Sequence, residues 1–120
     1  MSNESSKELG ESGEKCAAAF LNEKSFDILK RNFRYGRSGE IDIIAKRNNL
    51  IVFVEVKNRT SDRFGGALYS ISSKKKRNLK LAAKAFLSFH PEYNRPDYTF
   101  RFDLISITDN TVEWIEDIVR

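Results

Sequence analysis

The 120-residue chain reads as an α/β fold: a mixed β-sheet flanked by two helices, in the order helix, three strands, helix, strand. Three observations carry this reading. Two segments space their apolar residues three and four apart, the period of a helix with one buried face. The segments between and after them follow the two-residue alternation of strands. One run, Leu50 to Val56, is apolar at nearly every position and rich in branched residues, as a central strand covered on both faces must be. A helix on each face would supply that cover.

The elements follow in order. Residues 1–6 are polar and are expected to fray. Leu9, Gly13, Cys16, Ala17, Phe20 and Leu21 mark a helix over 7–23, whose small residues let it lie close to a sheet. Cys16 falls on this stripe and is expected to pack. Phe26 to Arg34 is a first strand, closed by the glycines of Tyr35-Gly36-Arg37-Ser38-Gly39. Two apolar strands then flank Asn48-Asn49, a pair that tolerates the positive φ of a tight turn. Asn58 to Gly66 is expected to be a polar loop. Ser72 or Ser73 caps a second helix, which carries Leu79, Ala82, Ala83, Phe86 and Leu87 on its apolar stripe and stops before Pro91. Tyr98 to Ile107 alternates as a strand, with Phe100, Phe102 and Leu104 on one face and Arg101, Asp103 and Ile105 on the other. Val112 to Val119 suits either a short strand or a helix.

Composition narrows the function classes. The length is that of one ordinary domain, 1–120. Apolar content of 40% and charged content of 32% fit a folded chain rather than a disordered one. The single cysteine excludes an internal disulfide, and one histidine, His90, with one cysteine is too few for a usual zinc site. No apolar run resembles a signal peptide or a membrane span, so a cytoplasmic location without membrane contact is expected. The net charge of +4 gathers at Lys30, Arg31, Arg34 and Arg37, and again from Lys74 to Lys84. Such patches suit a polyanionic partner, although a solvated lysine-rich helix face is the plainer reading of the second.

The chemistry lies in the hairpin. A two-residue turn at Asn48-Asn49 pairs Arg47 with Leu50, and counting outward sets Ile44 against Phe53, Asp42 against Glu55, and Glu40 against Lys57. Strict alternation puts Glu40, Asp42, Glu55 and Lys57 on one face. Opposed carboxylates at ~4.5–5.5 Å between Cβ atoms repel, so stability does not explain Asp42 beside Glu55. A divalent cation would remove the conflict, since Mg²⁺ takes one or two carboxylates together with phosphate oxygens and water. Lys57, two residues beyond Glu55, would stand by the water or the phosphate. Glu-x-Lys alone has little weight: among ten Glu and eleven Lys about one such triplet arises by chance.

These blocks resemble a known pattern. Gly39-Glu40-Ile41-Asp42 and Phe53-Val54-Glu55-Val56-Lys57-Asn58-Arg59, with Gly13-Glu14, Asn32-Phe33-Arg34, Phe64-Gly65, Lys75 and Arg101-Phe102-Asp103, are similar to the YraN-like family of small bacterial proteins. That family lies within the restriction-endonuclease-like (PD-(D/E)XK-type) nuclease superfamily, and its arrangement is similar to that of Holliday-junction resolvases. Two positions depart from the pattern: Ser73 stands where it has proline and Trp114 where it has histidine. The resemblance implies the restriction-endonuclease-like fold with an α-β-β-β-α-β core. It implies Asp42, Glu55 and the carbonyl of Val56 as ligands of Mg²⁺ or Mn²⁺. It further implies Lys57 as the residue that orients the attacking water, and Glu14 as an outer or second-metal ligand.

The function expected is metal-dependent hydrolysis of phosphodiester bonds, in branched or single-stranded DNA ahead of RNA. Arg34, Arg37, Arg59 and Lys75 would touch the phosphates, and a two-fold homodimer would suit a symmetric junction. Two other classes stay open: a nucleic-acid-binding module that does not cut, and an assembly factor that binds protein through the Tyr98–Ile107 strand. Plainer readings stand beside each residue. Glu40 would pair with Lys57, Glu14 and Lys75 would only meet solvent, Asp103 would pair with Arg101, and His90 would cap a helix.

Overall fold

The computed structural model describes residues 6–59, 71–109 and 111–119, with backbone alone for residues 6–11 and 59. Residues 1–5, and the expected loop's Phe64 and Gly65, lie outside the described residues. Among those described, five strands form one mixed sheet with two helices. They are α1 (Ser6–Glu23), β1 (Asp27–Tyr35), β2 (Gly39–Arg47), β3 (Leu50–Arg59), α2 (Ser73–Phe89), β4 (Thr99–Thr108) and β5 (Thr111–Ile115), with a short 3₁₀ turn at Pro91–Tyr93. The sheet order is β1-β2-β3-β4-β5. All neighbours are antiparallel except β3 and β4, which run parallel from Leu50↔Thr99 to Arg59↔Thr108. A parallel pair needs a crossover, and α2 lies on it. The expected loop therefore begins later than its polar residues suggest, because Asn58 and Arg59 continue β3 along β4.

The central strand is covered on both sides, as its composition requires. Ile51 and Phe53 pack with Ile41, Ile44, Leu79, Ala82, Phe86 and Leu104 on the α2 side. Val52 and Val54 pack with Ala17, Leu21, Ile43, Ala45 and Ile105 on the α1 side. Glu55 follows Phe53 and enters the α2 side at the end of that apolar run. Cys16 is exposed, which corrects the packed position expected for it. The face of α1 that meets the sheet is the narrow i, i+4, i+8 line of Gly13, Ala17 and Leu21, and Cys16 lies off it.

Ser72 caps α2: its hydroxyl accepts the Lys75 backbone N–H at 3.0 Å. Ser73 is thus the first helical residue, a position that also suits proline. His90 closes the helix through its backbone N–H. The final segment, open between strand and helix in the sequence, forms β5 and then an irregular stretch. Asp117 there has φ of 61°, and the Ile118 N–H reaches the Phe102 carbonyl at 2.8 Å, carrying Ile118 and Val119 into the α2-side core. Asp103, fully buried, holds this end together. Its carboxylate accepts from Arg101 Nε and Nη2, Trp114 Nε1 and the Asp117 N–H, at 2.9–3.0 Å. Trp114 thus serves this buried carboxylate with its ring N–H.

Candidate active site

The hairpin builds the centre of the site. Asn48 turns with φ of 53°, and β2 pairs with β3 from Arg47↔Leu50 to Ile43↔Val54, the register that counting from the turn gives. The ladder ends there. Beyond it the Val56 N–H goes to Asp42 Oδ2 at 2.8 Å, a side chain standing in for a backbone partner. Strict alternation also ends at this point. Ile41 packs on the α2 side and Ile43 on the α1 side, so the facing order slips at Asp42. Asn32, between the paired Arg31↔Ile43 and Phe33↔Ile41, adopts φ of 54° on the strand opposite. The expected cross-strand partners change with it. Glu40 pairs with Arg34 of β1 at 3.2 Å rather than with Lys57.

Asp42 and Glu55 come together as expected, their carboxyls close enough to share a hydrogen bond. Burial, and then Glu55, push the Asp42 carboxyl up to about 8 from 3.8, against the lowering effect of the Val56 N–H. The site therefore holds a proton at neutral pH, where an ordinary carboxyl would have lost it. Glu55 is 3% exposed. Two ammonium groups face its Oε2: Lys75 Nζ at 2.9 Å and Lys57 Nζ at 3.9 Å. Lys75 comes from the first turn of α2, anchored by the Ser72 cap. Burial works against its charge, but Glu55 and Asp42 outweigh that and hold its pKa above the usual lysine value. Lys75 thus sits against the acidic pair, closer than Lys57 and not at an outer rim.

α1 completes one wall. A Cβ on Gly13 would stand 2.8 Å from the Asn58 Cβ, so glycine lets the helix meet the end of β3 directly. The next residue, Glu14, has a side chain only 13% exposed, with Oε1 3.6 Å from Arg31 Nη2. Burial raises its pKa, while Arg31 and a hydrogen bond to Asn32 oppose the rise. Its charge also acts on Asp42. The Glu14 Oε1 and Arg31 Nε atoms are buried without a hydrogen-bond partner. Arg31 and Asn32 join the site without a role legible in the sequence; the signals there are the basic run Lys30 to Arg34 and the Asn32-Phe33-Arg34 block. Of the expected phosphate contacts, Arg34 and Arg37 are exposed at the end of β1 and in its turn. Arg59 ends β3, and its side chain lies outside the described residues.

The profile of the uncharacterised protein family UPF0102 matches residues 13–107. The chain belongs to UPF0102. This is the YraN-like group. Among its relatives, a UPF0102 protein of Nitrosomonas europaea is 41% identical over 111 residues, 90% of each chain. One from Thermodesulfovibrio yellowstonii is 44% identical over 110 residues, covering 92% of this chain and 94% of the relative. One from Caldicellulosiruptor saccharolyticus is 43% identical over 112 residues, covering 93% and 92%.

In this UPF0102 chain the donors suit a hard cation. Among the described residues no group of three or more His, Cys, Asp or Glu forms a metal cluster. The available set is the Asp42–Glu55 pair with neighbouring backbone. Two carboxylate donors without nitrogen or sulfur fit Mg²⁺ or Mn²⁺, which complete their shells with water and phosphate.

Proposed function

We propose that this UPF0102 protein hydrolyses phosphodiester bonds in nucleic acid, DNA ahead of RNA, with Mg²⁺ or Mn²⁺ held by Asp42, Glu55 and the Val56 carbonyl. The observation that carries the reading is the contact between Asp42 and a buried Glu55 at the open end of the β2–β3 ladder, with Lys57 and Lys75 on the same carboxylate. Such a pair has no use as a fold stabiliser. Bound there, the cation would lower the pKa of a water and offset charge on the phosphate.

The protein's own groups have these parts. Asp42 gives up its proton to become a ligand. Glu55 is held in place by the two ammonium groups. Lys57 orients the attacking water and, with Lys75, faces the phosphate oxygens. Glu14 tunes Asp42 through its charge and stands by as an outer ligand. Arg34, Arg37 and Arg59 steer the strand.

A second reading has one observation in its favour. Lys75 at 2.9 Å already neutralises Glu55, as a nucleic-acid-binding module without metal chemistry would require. End-labelled duplex, single-strand, flap and four-way-junction substrates, each with Mg²⁺, Mn²⁺ or EDTA, separate the two. Metal-dependent cutting lost in Asp42→Ala, Glu55→Ala and Lys57→Ala supports hydrolysis. Binding without cutting, equal in all four proteins, supports the module.

A further inference from the structure

We infer that the pocket between β1 and the C-terminal end of α2 takes an unpaired nucleobase, with its phosphate on Lys30 and Arg34. The inference rests on the reading above and narrows it to substrates with single-stranded character beside the acidic pair.

The pocket encloses about 540 Å³. Its wall is aromatic: Phe33, Phe86, His90 and Tyr93. The His90 ring stacks on Phe86 at 4.4 Å, and Tyr93 lies within 7° of parallel to Phe86 at 6.3 Å. The His90 side chain is 42% exposed and Tyr93 is half-buried, so these rings are open to a flat partner. The two partly exposed rings, His90 and Tyr93, lie 6.3 Å apart and tilted by 36°, over a buried Phe86; a base can stack on either outer face.

The rim supplies the phosphate side of a nucleotide site. Lys30 and Arg34 are exposed and line the same pocket; Glu92 stands on the same rim, and Arg34 also meets Glu40 at 3.2 Å. Asn32 stands between them with its backbone in the left-handed region, and its side chain is engaged by Glu14 of α1. An apolar side chain of a protein partner would use the rings but neither cation, so a phosphate-bearing base fits the whole pocket better.

The same strand joins this pocket to the site. Asn32 also hydrogen-bonds Glu14. It lies opposite Asp42 on the neighbouring strand, a spacing of roughly 5 Å. Arg34 is paired with Glu40, two residues before Asp42. A single strand that follows β1 from the pocket can therefore reach the acidic pair.

The test uses an oligonucleotide duplex with a single-stranded overhang that carries one 2-aminopurine. It is titrated in EDTA with the parent protein and with His90→Ala, Tyr93→Ala, Tyr93→Phe and Lys30→Ser. Lys30 is exposed, so Lys30→Ser should keep the parent's unfolding midpoint, and the ring variants are titrated well below their own midpoints. Stacking should quench the fluorophore on binding. His90→Ala and Tyr93→Ala should lose the quench and weaken overhang binding by roughly 5- to 150-fold, the range for one stacked base. Tyr93→Phe should behave as the parent, Lys30→Ser should bind more weakly, and blunt-duplex affinity should be unchanged by the ring variants. Equal binding and quenching by the parent and the ring variants would overturn the pocket and leave the nuclease reading standing. Equal losses on blunt duplex and overhang would also overturn it. A parent that binds no nucleic acid would overturn both.

Discussion

Asp42→Asn should stabilise the protein, and by more as the pH rises. The Asp42 carboxyl is pushed up to about 8, from 3.8. Between these values the folded protein keeps a proton that the unfolded chain has released. Unfolding then releases that proton, so stability falls as pH climbs from about 4 to about 8 and levels off above. One pH unit corresponds to about 1.4 kcal/mol. The full span would exceed 5 kcal/mol, and water entry together with movement of Lys75 reduces this to roughly 2–4 kcal/mol at pH 9. Asparagine keeps an oxygen for the Val56 N–H and removes the charge. Urea unfolding in EDTA from pH 5 to 9 reads the effect directly. The two proteins should lie closest at pH 5 and diverge toward pH 9, with the parent the weaker. Parallel curves for parent and variant would refute the account of the acidic pair.

Three further outcomes follow from other contacts. Lys75→Met removes the ammonium 2.9 Å from buried Glu55; it should lower stability by about 1–3 kcal/mol in urea unfolding, and Mn²⁺ should recover part of the loss. Gly13→Ala puts a methyl group 2.8 Å from the Asn58 Cβ. It should lose about 1–2 kcal/mol despite alanine's better helix propensity and, by moving Glu14, weaken Mn²⁺ affinity in calorimetry. Asp103→Ala strands the donors of Arg101, Trp114 and Asp117 and should lower stability by about 3–5 kcal/mol, with a blue shift of Trp114 fluorescence absent from Lys75→Met.

The parts legible in the sequence were those set by local rules. The Asn48 turn and the count outward gave the hairpin register and brought Asp42 to Glu55, because a two-residue turn leaves one alignment. The apolar run of β3 implied cover on both faces, and the small residues at Gly13 and Ala17 implied a close helix. What was not legible depended on competition between neighbours. Glu40 has two flanking strands, and Arg34 of β1 captures it where counting within the hairpin offered Lys57. The left-handed Asn32 and the slip at Asp42 break the alternation that counting assumes. The contact of Lys75 with Glu55 depends on how α2 docks after the crossover, which no spacing rule states. The tail resisted assignment because its residues serve both faces: Val112 and Trp114 pack on the α1 side, whereas Ile118 and Val119, beyond the turn at Asp117, pack on the other.

The most direct test of the central claim is calorimetric titration of Mn²⁺ at pH 7 in buffers of different ionisation enthalpy, with parent, Asp42→Asn and Glu55→Gln. A cation that takes over Asp42 must displace its proton. The account predicts saturable binding by the parent with close to one proton released per ion, weaker binding without that release in Asp42→Asn, and weak binding in Glu55→Gln. Binding of equal strength in all three proteins, or none in the parent, would contradict it.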